Sequence, residues 1–252
     1  LDDPVTRSLA ASSERAGQRI LWFSLEQGAE EGACLRGDQL VLRLAGREEV
    51  LCHTGDLKLL GRHNLANLLA ASALAVGTMV ALRGKTDLGS LPVEALRRVT
   101  ISFKGVDHRL EFVREHRQVR WYNDSIATTP ERAVAAMRSF DAPIVLLAGG
   151  RDKHLPWDEM AALTWRKVRH LILFGECADL IDRAMAETQV PGGPQQTLIH
   201  RAGTLPQAVP MAADLAQPGD VVLLSPGGTS FDAYRDFTER GDHFRDLVRG
   251  LE

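Results

Sequence analysis

In the second half of the chain, short apolar runs alternate with segments of helical spacing, and this alternation limits the fold more than any other feature of the sequence. The runs at residues 143–148, 170–174 and 220–224 are almost continuously apolar, which is typical of strands buried on both faces. Further strands are predicted at residues 110–113, 119–122 and 197–200. Helical patterns separate the strands, at residues 130–140, 156–166, 178–188 and 205–216. The sequence therefore predicts an α/β fold with a doubly wound, mostly parallel sheet.

The first hundred or so residues follow a different pattern. A predicted strand at residues 19–25 precedes a predicted hairpin, whose strands lie at 33–35 and 39–44. The other elements expected in this part are a strand end and turn at 1–4, a short strand at 49–52, a buried helix at 64–82 and a short helix at 92–99. We place the boundary between the two patterns near Lys104, which gives predicted domains at residues 1–104 and 105–252.

Charge and cysteine content exclude several functional classes. With a net charge of -3 and 6% aromatic residues, the chain offers neither a basic field nor a stacking platform for nucleic acid. Cys34, Cys52 and Cys177 are widely spaced and form no CxxC pair, so neither a disulfide framework nor a zinc site is expected. No apolar run is expected to span a membrane and no signal pattern opens the chain, so we predict a soluble, cytoplasmic protein without a membrane partner.

Polar loops follow three of the predicted strands. Residues 123–129, which include Asp124, lead into a helix start, residues 149–153 end in Lys153, and residues 225–232 are rich in hydroxyl groups. Each loop alone is compatible with an ordinary polar connection. The carboxyl ends of parallel strands, however, share one edge of a sheet, where ligands of α/β proteins bind. The three loops together predict one binding crevice.

Three features bear on nucleotide binding. Residues 83–86 end like a phosphate loop, but Met79 stands where that motif needs its first glycine and the segment follows a helix, so we interpret it as a connecting loop. Asn64 and Asn67 share one face at a helix start, where their amides can read a purine edge or serve as caps. Arg109, at the predicted domain boundary, is either a bidentate phosphate ligand or an ordinary surface arginine.

Taken together, the ordered motifs resemble those of the Mur ligase family, and they cover nearly the whole chain. The motifs are Asp2-Asp3-Pro4, His63-Asn64-x-x-Asn67, His108-Arg109-x-Glu111, Asn123-Asp124-Ser125-x-Ala127-Thr128, Gly149-Gly150-x-Asp152-Lys153, Ser225-Pro226, Ser230-x-Asp232 and Phe237-x-x-Arg240-Gly241. The resemblance implies a three-domain enzyme, of which residues 1–104 are the second half of the central ATPase domain. Residues 105–252 are then the C-terminal Rossmann-like, glutamate-binding domain. The family's phosphate loop and Mg²⁺ ligands are expected in the part that precedes this chain.

The resemblance also implies an activity. Members of the glutamate-adding branch join glutamate to UDP-N-acetylmuramoyl-L-alanine in peptidoglycan precursor synthesis, using ATP and Mg²⁺ and passing through an acyl phosphate. A monomeric enzyme with small-molecule substrates is therefore expected, and the 252 residues alone are expected to be inactive. Two alternatives stay open, a ligase of the folylpolyglutamate synthase branch and a non-catalytic Rossmann-like binding module. The motifs at residues 123–128 and 225–232 favour the muramoyl branch.

By the same resemblance, four residues would serve ATP. Asn64 and Asn67 would lie at the adenine. Arg109 would lie near the phosphates and Asp124 on the ribose hydroxyls. No residue of this chain is expected to act as a covalent catalyst or as a metal ligand, because such chemistry depends on positioning and on charge neutralisation.

Four further residues would hold glutamate. Thr128 and Lys153 would bind its α-carboxylate, while Ser230 and the backbone of Phe237 would bind its side-chain carboxylate. A lysine cation and a neutral hydroxyl donor are chemically suited to a dianionic amino acid.

Two departures from the family pattern touch the predicted glutamate pocket. Ile126 stands where the family usually has lysine, and residues 225–230 read Ser-Pro-Gly-Gly-Thr-Ser instead of the more usual Ser-Pro-Ala-Cys-Ala-Ser. The first change removes a positive charge near the reaction centre. We therefore hypothesise an altered amino-acid choice, with L-glutamate in place of the D-glutamate typical of the family.

Overall fold

The structure is a computed structural model that describes residues 1–15, 17–84, 88–188 and 197–252. The chain forms two compact units, Leu1–Lys104 and Gly105–Glu252. The boundary between them lies where the sequence pattern changes. All three cysteines lie in the described ranges, and they are free and buried.

The first unit combines a small sheet with helices. Its helices are α1 (Pro4–Arg15), α2 (Arg62–Arg83) and α3 (Val93–Ser102). Its strands are β1 (Trp22–Ser24), β2 (Gly32–Arg36), β3 (Gln39–Leu44) and β4 (Arg47–His53). Among the described residues the sheet order is β1-β2-β3-β4; β1 is parallel to β2 and the other neighbours are antiparallel. The predicted hairpin is therefore confirmed, and its alternate residues Leu40, Leu42 and Leu44 pack with Leu69 and Val76 of α2.

The start of the chain differs from the expectation of a strand end and turn. Helix α1 begins at Pro4. The Oδ1 atom of Asp3 accepts a hydrogen bond from the N–H of Thr6 at 2.6 Å, which is the interaction of an N-cap residue. Proline fits the first helical position because its missing N–H needs no partner there. The Asp-Pro pair is therefore a helix-start signal that the sequence analysis read as a turn.

Helix α2 corrects a second expectation. By length and composition alone, its segment Arg62–Leu82 is long and apolar enough to cross a membrane, although the sequence analysis expected no such run. One face of the helix carries the buried side chains of Leu69 and Val76, whereas Leu74 is exposed. The core helix of a water-soluble domain passes the same test, so one such helix is weak evidence for a membrane.

The segment that we rejected as a phosphate loop follows α2. Gly84 closes the helix with φ 61° and ψ 19°, a left-handed conformation that favours glycine at a helix C-terminus. Residues 85–87 lie outside the described residues. The segment thus follows a helix, whereas a phosphate loop follows a strand.

The second unit is built on a larger sheet. Its strands are β5 (Glu111–His116), β6 (Val119–Asn123), β7 (Ile144–Gly149), β8 (Val168–Phe174), β9 (Leu198–Gly203) and β10 (Val221–Gly227). Its helices are α4 (Pro130–Met137), α5 (Asp158–Lys167), α6 (Ala178–Glu187), α7 (Leu205–Leu215) and α8 (Phe237–Arg249). In the described ranges the strand order is β5-β6-β10-β7-β8-β9, and only β5 is antiparallel to its neighbour. The predicted doubly wound, mostly parallel sheet is confirmed.

Helices cover both faces of this sheet. On one face, Trp121 and Leu147 of the sheet pack with Ala208 of α7 and with Phe244 and Val248 of α8. Helices α4, α5 and α6 pack against the strands and against one another, and contribute no residue to that cluster. Burial on both faces is the reason why the strands read as continuous apolar runs.

Candidate functional site

The predicted crevice lies at the carboxyl ends of three adjacent strands, β6, β10 and β7. The N–H of Gly227 donates a hydrogen bond to the carbonyl of Ala127 at 2.9 Å, which joins the loop after β6 to the last residue of β10. Arg151 and Thr229 exchange two backbone hydrogen bonds of 2.9 and 2.8 Å, which join the loops after β7 and β10. The three polar loops singled out in the sequence therefore meet at one edge of the sheet, as the topology of an α/β fold requires.

Asp124 directly follows β6 and is only 4% exposed. Its carboxyl oxygens accept hydrogen bonds from the N–H of Leu110 at 3.2 Å and from the hydroxyl of Ser225 at 2.9 Å. Burial raises the pKa of the Asp124 carboxyl to about 7, although both hydrogen bonds and the charge of Arg109 oppose the shift. Burial and these two hydrogen bonds leave few lone pairs of the Asp124 carboxyl open to a further donor.

Lys153 and Thr128 come from different loops and meet in the crevice. The Nζ atom of Lys153, which is exposed after β7, donates a hydrogen bond to Oγ1 of Thr128 at 3.2 Å. Thr129 rather than Thr128 is the N-cap residue of α4, so the Thr128 hydroxyl has no capping role. The structure thus brings together the two side chains that the resemblance assigns to one carboxylate, and a cation beside a hydroxyl is suited to bind such a group.

Ser230 and Phe237 follow β10. Ser230 is buried, and its carbonyl accepts hydrogen bonds from the N–H groups of Ala233 and Tyr234 at 3.1 and 2.8 Å, which form a turn before α8. Phe237 is the first residue of α8, where helical N–H groups have no intrahelical acceptor. Its carbonyl accepts a hydrogen bond from the hydroxyl of Ser125 at 2.8 Å. The N-terminus of α8 is therefore fixed to the loop after β6, and such a terminus favours an anion.

Arg109 belongs to a turn that packs on the end of β6. The N–H of His108 donates to Oε2 of Glu111 at 2.9 Å, and Nδ2 of Asn123 donates to the same oxygen at 3.1 Å. Arg109 itself is exposed, and within the described ranges its guanidinium has no hydrogen-bond or ion-pair partner. The turn is thus fixed by its neighbours, while the arginine is available to a phosphate.

The two asparagines lie in the first unit, at the start of α2. Asn64 is buried, and its Nδ2 donates a hydrogen bond to the carbonyl of Leu60 at 2.7 Å. Asn67 is exposed, with no side-chain hydrogen bond to any other described residue. Asn64 therefore has a local structural role, whereas the amide of Asn67 faces solvent.

Residues 108–228 match the family model described as Mur ligase, glutamate ligase domain. A UDP-N-acetylmuramoylalanine--D-glutamate ligase from Symbiobacterium thermophilum is 42% identical over 252 residues, which are 99% of this chain and 51% of the relative. An enzyme of the same name from Acetivibrio thermocellus is 36% identical over 100% of this chain and 51% of its own length. Residues 108–228 therefore carry a Mur ligase glutamate ligase domain. The chain spans about half the length of these curated relatives.

Solved structures of Mur ligases and related enzymes share the fold. MurF from Acinetobacter baumannii aligns with a TM-score of 0.62 at 16% identity, over 98% of this chain and 50% of that one. Folylpolyglutamate synthase from Mycobacterium tuberculosis, complexed with ADP, aligns with a TM-score of 0.62 at 19% identity, over 98% and 53% of the two chains. At such identities the likeness concerns the fold alone.

One helix and one residue of this site were not predicted from the sequence. Helix α8 was not predicted, although Asp236 caps it by accepting a hydrogen bond from the N–H of Glu239 at 2.9 Å. An Asp followed three residues later by Glu is a recognisable helix start. The sequence motif names Arg240 but assigns it no role. In the structure Arg240 is fully buried and hydrogen-bonded to Ser125 and Gly228. No periodicity in the sequence indicates those contacts.

One of the two departures from the Mur ligase pattern has a backbone explanation. A Cβ atom at Gly228 would lie 2.6 Å from the carbonyl oxygen of Gly149 and 3.1 Å from that of Arg151. Side-chain carbons do not approach carbonyl oxygens so closely, so this loop requires glycine where it passes the loop after β7. The glycine at position 228 therefore does not by itself indicate a different amino-acid substrate.

Proposed function

We propose that this chain is the glutamate-binding part of a ligase that adds glutamate to UDP-N-acetylmuramoyl-L-alanine in peptidoglycan precursor synthesis. The observation that carries the proposal is the contact of Lys153 with Thr128 at the sheet edge that also holds Ser230 and the N-terminus of α8. A cation, hydroxyls and free N–H groups at one edge suit an amino acid with two carboxylates. The relatives named UDP-N-acetylmuramoylalanine--D-glutamate ligase support the same reaction.

The proposed reaction has two steps. ATP transfers its γ-phosphoryl group to the carboxylate of the muramoyl substrate and leaves as ADP; the amino group of glutamate then attacks the acyl carbon, and phosphate leaves as the amide forms. The role of this chain is to hold glutamate. Lys153 and Thr128 bind the α-carboxylate, while Ser230 and the N–H of Phe237 bind the side-chain carboxylate. Fixing both carboxylates orients the amine, which removes much of the entropic barrier to attack.

Nucleotide binding is a second part of the proposal. The free guanidinium of Arg109 suits the phosphates of ATP, and the exposed amide of Asn67 and the helix start at Asn64 suit the adenine. Asp124 would reach the ribose only through its remaining lone pairs. Mg²⁺, when bound, would neutralise phosphate charge. By the family resemblance, its ligands are proposed to lie in the part of the relatives that this chain does not span; no group of three or more His, Cys, Asp or Glu residues within the described ranges could hold a metal ion.

The protein is further proposed to be a cytoplasmic monomer whose partners are its small-molecule substrates. An assay of the complete gene product tests the reaction. ATP, glutamate and UDP-N-acetylmuramoyl-L-alanine together should release phosphate. Phosphate release with a folate acceptor, and none with the muramoyl acceptor, would instead support the folylpolyglutamate synthase alternative. Running the assay with each enantiomer decides between D-glutamate, which the relatives' names favour, and the L-glutamate hypothesis.

Replacing Lys153 tests the glutamate pocket. In the complete gene product we expect Lys153→Ala to raise the KM for glutamate about 10- to 100-fold, since a hydrogen bond to a charged group contributes roughly 1.5–3 kcal/mol. The KM for ATP should change by less than about threefold, because the contact is made to glutamate only. Steady-state kinetics with each substrate varied in turn measures both constants.

Arg183→Ala provides the matched control for this variant. Arg183 is an exposed cation of α6 without a partner among the described residues, so its removal changes the net charge equally but touches no proposed contact. An unchanged glutamate KM in Lys153→Ala, or an equal rise in both variants, would remove Lys153 from the pocket.

A further inference from the structure

Arg240 lies where the three loops of the crevice meet, and it is completely buried. Its Nε donates to the hydroxyl of Ser125 at 2.9 Å, and Nη2 donates to the carbonyl of Ser125 at 2.8 Å. Both terminal nitrogens donate to the carbonyl of Gly228 at 3.2 Å. A Cβ placed on Gly150 would be 2.9 Å from Nη1. One guanidinium from α8 therefore touches the loops after β6, β7 and β10.

The acceptors around this guanidinium are all neutral. Among the described residues, no carboxylate lies within ion-pair distance of Arg240, whereas Arg245 of the same helix pairs with Glu111 and Asp242 at 3.1 and 3.0 Å. Burial lowers the pKa of Arg240 to about 10, and the more distant Asp232 and Tyr234 only partly oppose the shift. The guanidinium thus remains charged at neutral pH, as a buried cation without a direct counter-ion.

Such an arrangement is unusual for physical reasons. Burying a charge without a partner is costly, and hydrogen bonds to carbonyls recover only part of the lost hydration. A chain that needed Arg240 only to connect loops could use a neutral donor at the same place. A buried charge is also screened less by salt and water than a surface charge, so it acts further into the adjacent crevice.

We propose that Arg240 is a positioning residue whose unpaired charge makes the crevice selective for an amino acid with two carboxylates over one whose side chain is neutral. The inference rests on the proposed function and deepens it. The hydrogen bonds to Ser125 and Gly228 hold the loops that carry Thr128 and Ser230. The charge attracts the second carboxylate of the ligand. Glutamine has the same shape and one negative charge less. It therefore benefits from the positioned loops but not from the attraction to the Arg240 charge.

Two substitutions separate these effects. Arg240→Met keeps much of the buried volume but removes both the charge and the hydrogen bonds. Arg240→Lys keeps the positive charge but loses the planar set of N–H donors of the guanidinium. Kinetics of the complete gene product give the KM of glutamate and, from competition, the inhibition constant of glutamine. Far-UV circular dichroism and thermal unfolding show whether each variant is folded.

In Arg240→Met the affinity for glutamate should fall at least about tenfold more than that for glutamine, which corresponds to about 1.4 kcal/mol of selectivity. In Arg240→Lys both affinities should fall, but the ratio between them should stay within about twofold of the unsubstituted protein. The matched control Arg245→Met, on the same helix, should leave the ratio unchanged because that arginine is already paired.

Several outcomes would overturn the inference. Equal losses for glutamate and glutamine in Arg240→Met mean that the residue only connects the loops. If Arg240→Met does not fold, Arg240→Lys remains decisive, because a lost selectivity despite the retained charge contradicts the proposal. If the unsubstituted protein does not use glutamate at all, the proposed function fails first, and that result is distinguishable from a change in the ratio.

Discussion

Gly150→Ala is expected to destabilise the second unit by about 3–5 kcal/mol, a loss that is exceptional for adding one methyl group. Gly150 has φ +98°, and a Cβ there would lie 2.1 Å from the carbonyl oxygen of Thr229. That oxygen belongs to the backbone bridge between Arg151 and Thr229, so the loop cannot move aside without breaking the bridge. Urea unfolding of the 252-residue chain, followed by circular dichroism, measures the free energy of unfolding.

The loop that precedes β10 offers a matched control for this variant. Gly219 has φ +93°, close to that of Gly150, but a Cβ there would meet no atom within 4 Å. Gly219→Ala should therefore show only the cost of a left-handed residue, about 1–2 kcal/mol. Equal losses in the two variants would mean that the close approach at Gly150 is relieved by small shifts, and that the three loops are less firmly joined than their hydrogen bonds indicate.

Asp124→Asn is expected to change the pH dependence of stability by up to about 4 kcal/mol, since each unit of pKa shift corresponds to about 1.36 kcal/mol. The pKa of Asp124 is raised from 3.8 to about 7 in the folded chain by burial. Below pH 4 the carboxyl is protonated in both the folded and the unfolded chain, so its contribution is fully present. Between pH 4 and 7 the unfolded chain loses the proton first, and the contribution declines as the pH rises; above pH 7 it is lost.

The asparagine variant does not titrate at this position, and its amide can still serve Leu110 and Ser225, one as donor and one as acceptor. The difference in unfolding free energy, variant minus unsubstituted chain, should therefore increase from pH 4 to pH 7 and then level off. Asp214→Asn, at an exposed position of α7, should show a difference within about 0.5 kcal/mol at every pH. If the difference in unfolding free energy for Asp124→Asn is also independent of pH, the pKa of the Asp124 carboxyl is not raised in the folded chain.

The order of strands and helices in the second unit could be predicted because burial on both faces leaves a local signature. The run at residues 143–148 became β7 and the pattern at 130–140 became α4. The two missed helices, α1 and α8, are rich in polar and charged residues, and in the segment Phe237–Arg249 the apolar residues are few although they keep helical spacing. Their capping residues, Asp3 and Asp236, were the available signals.

The sequence by itself determined the fold class, the family resemblance and which loops leave the carboxyl ends of the strands, because those features depend on local pattern and on chain topology. Only the tertiary structure decided the state of the groups in the crevice. The burial that raises the pKa of Asp124, the meeting of Lys153 with Thr128 and the unpaired charge of Arg240 all depend on residues distant in sequence. Desolvation and hydrogen bonding act through space, so a linear pattern does not contain them.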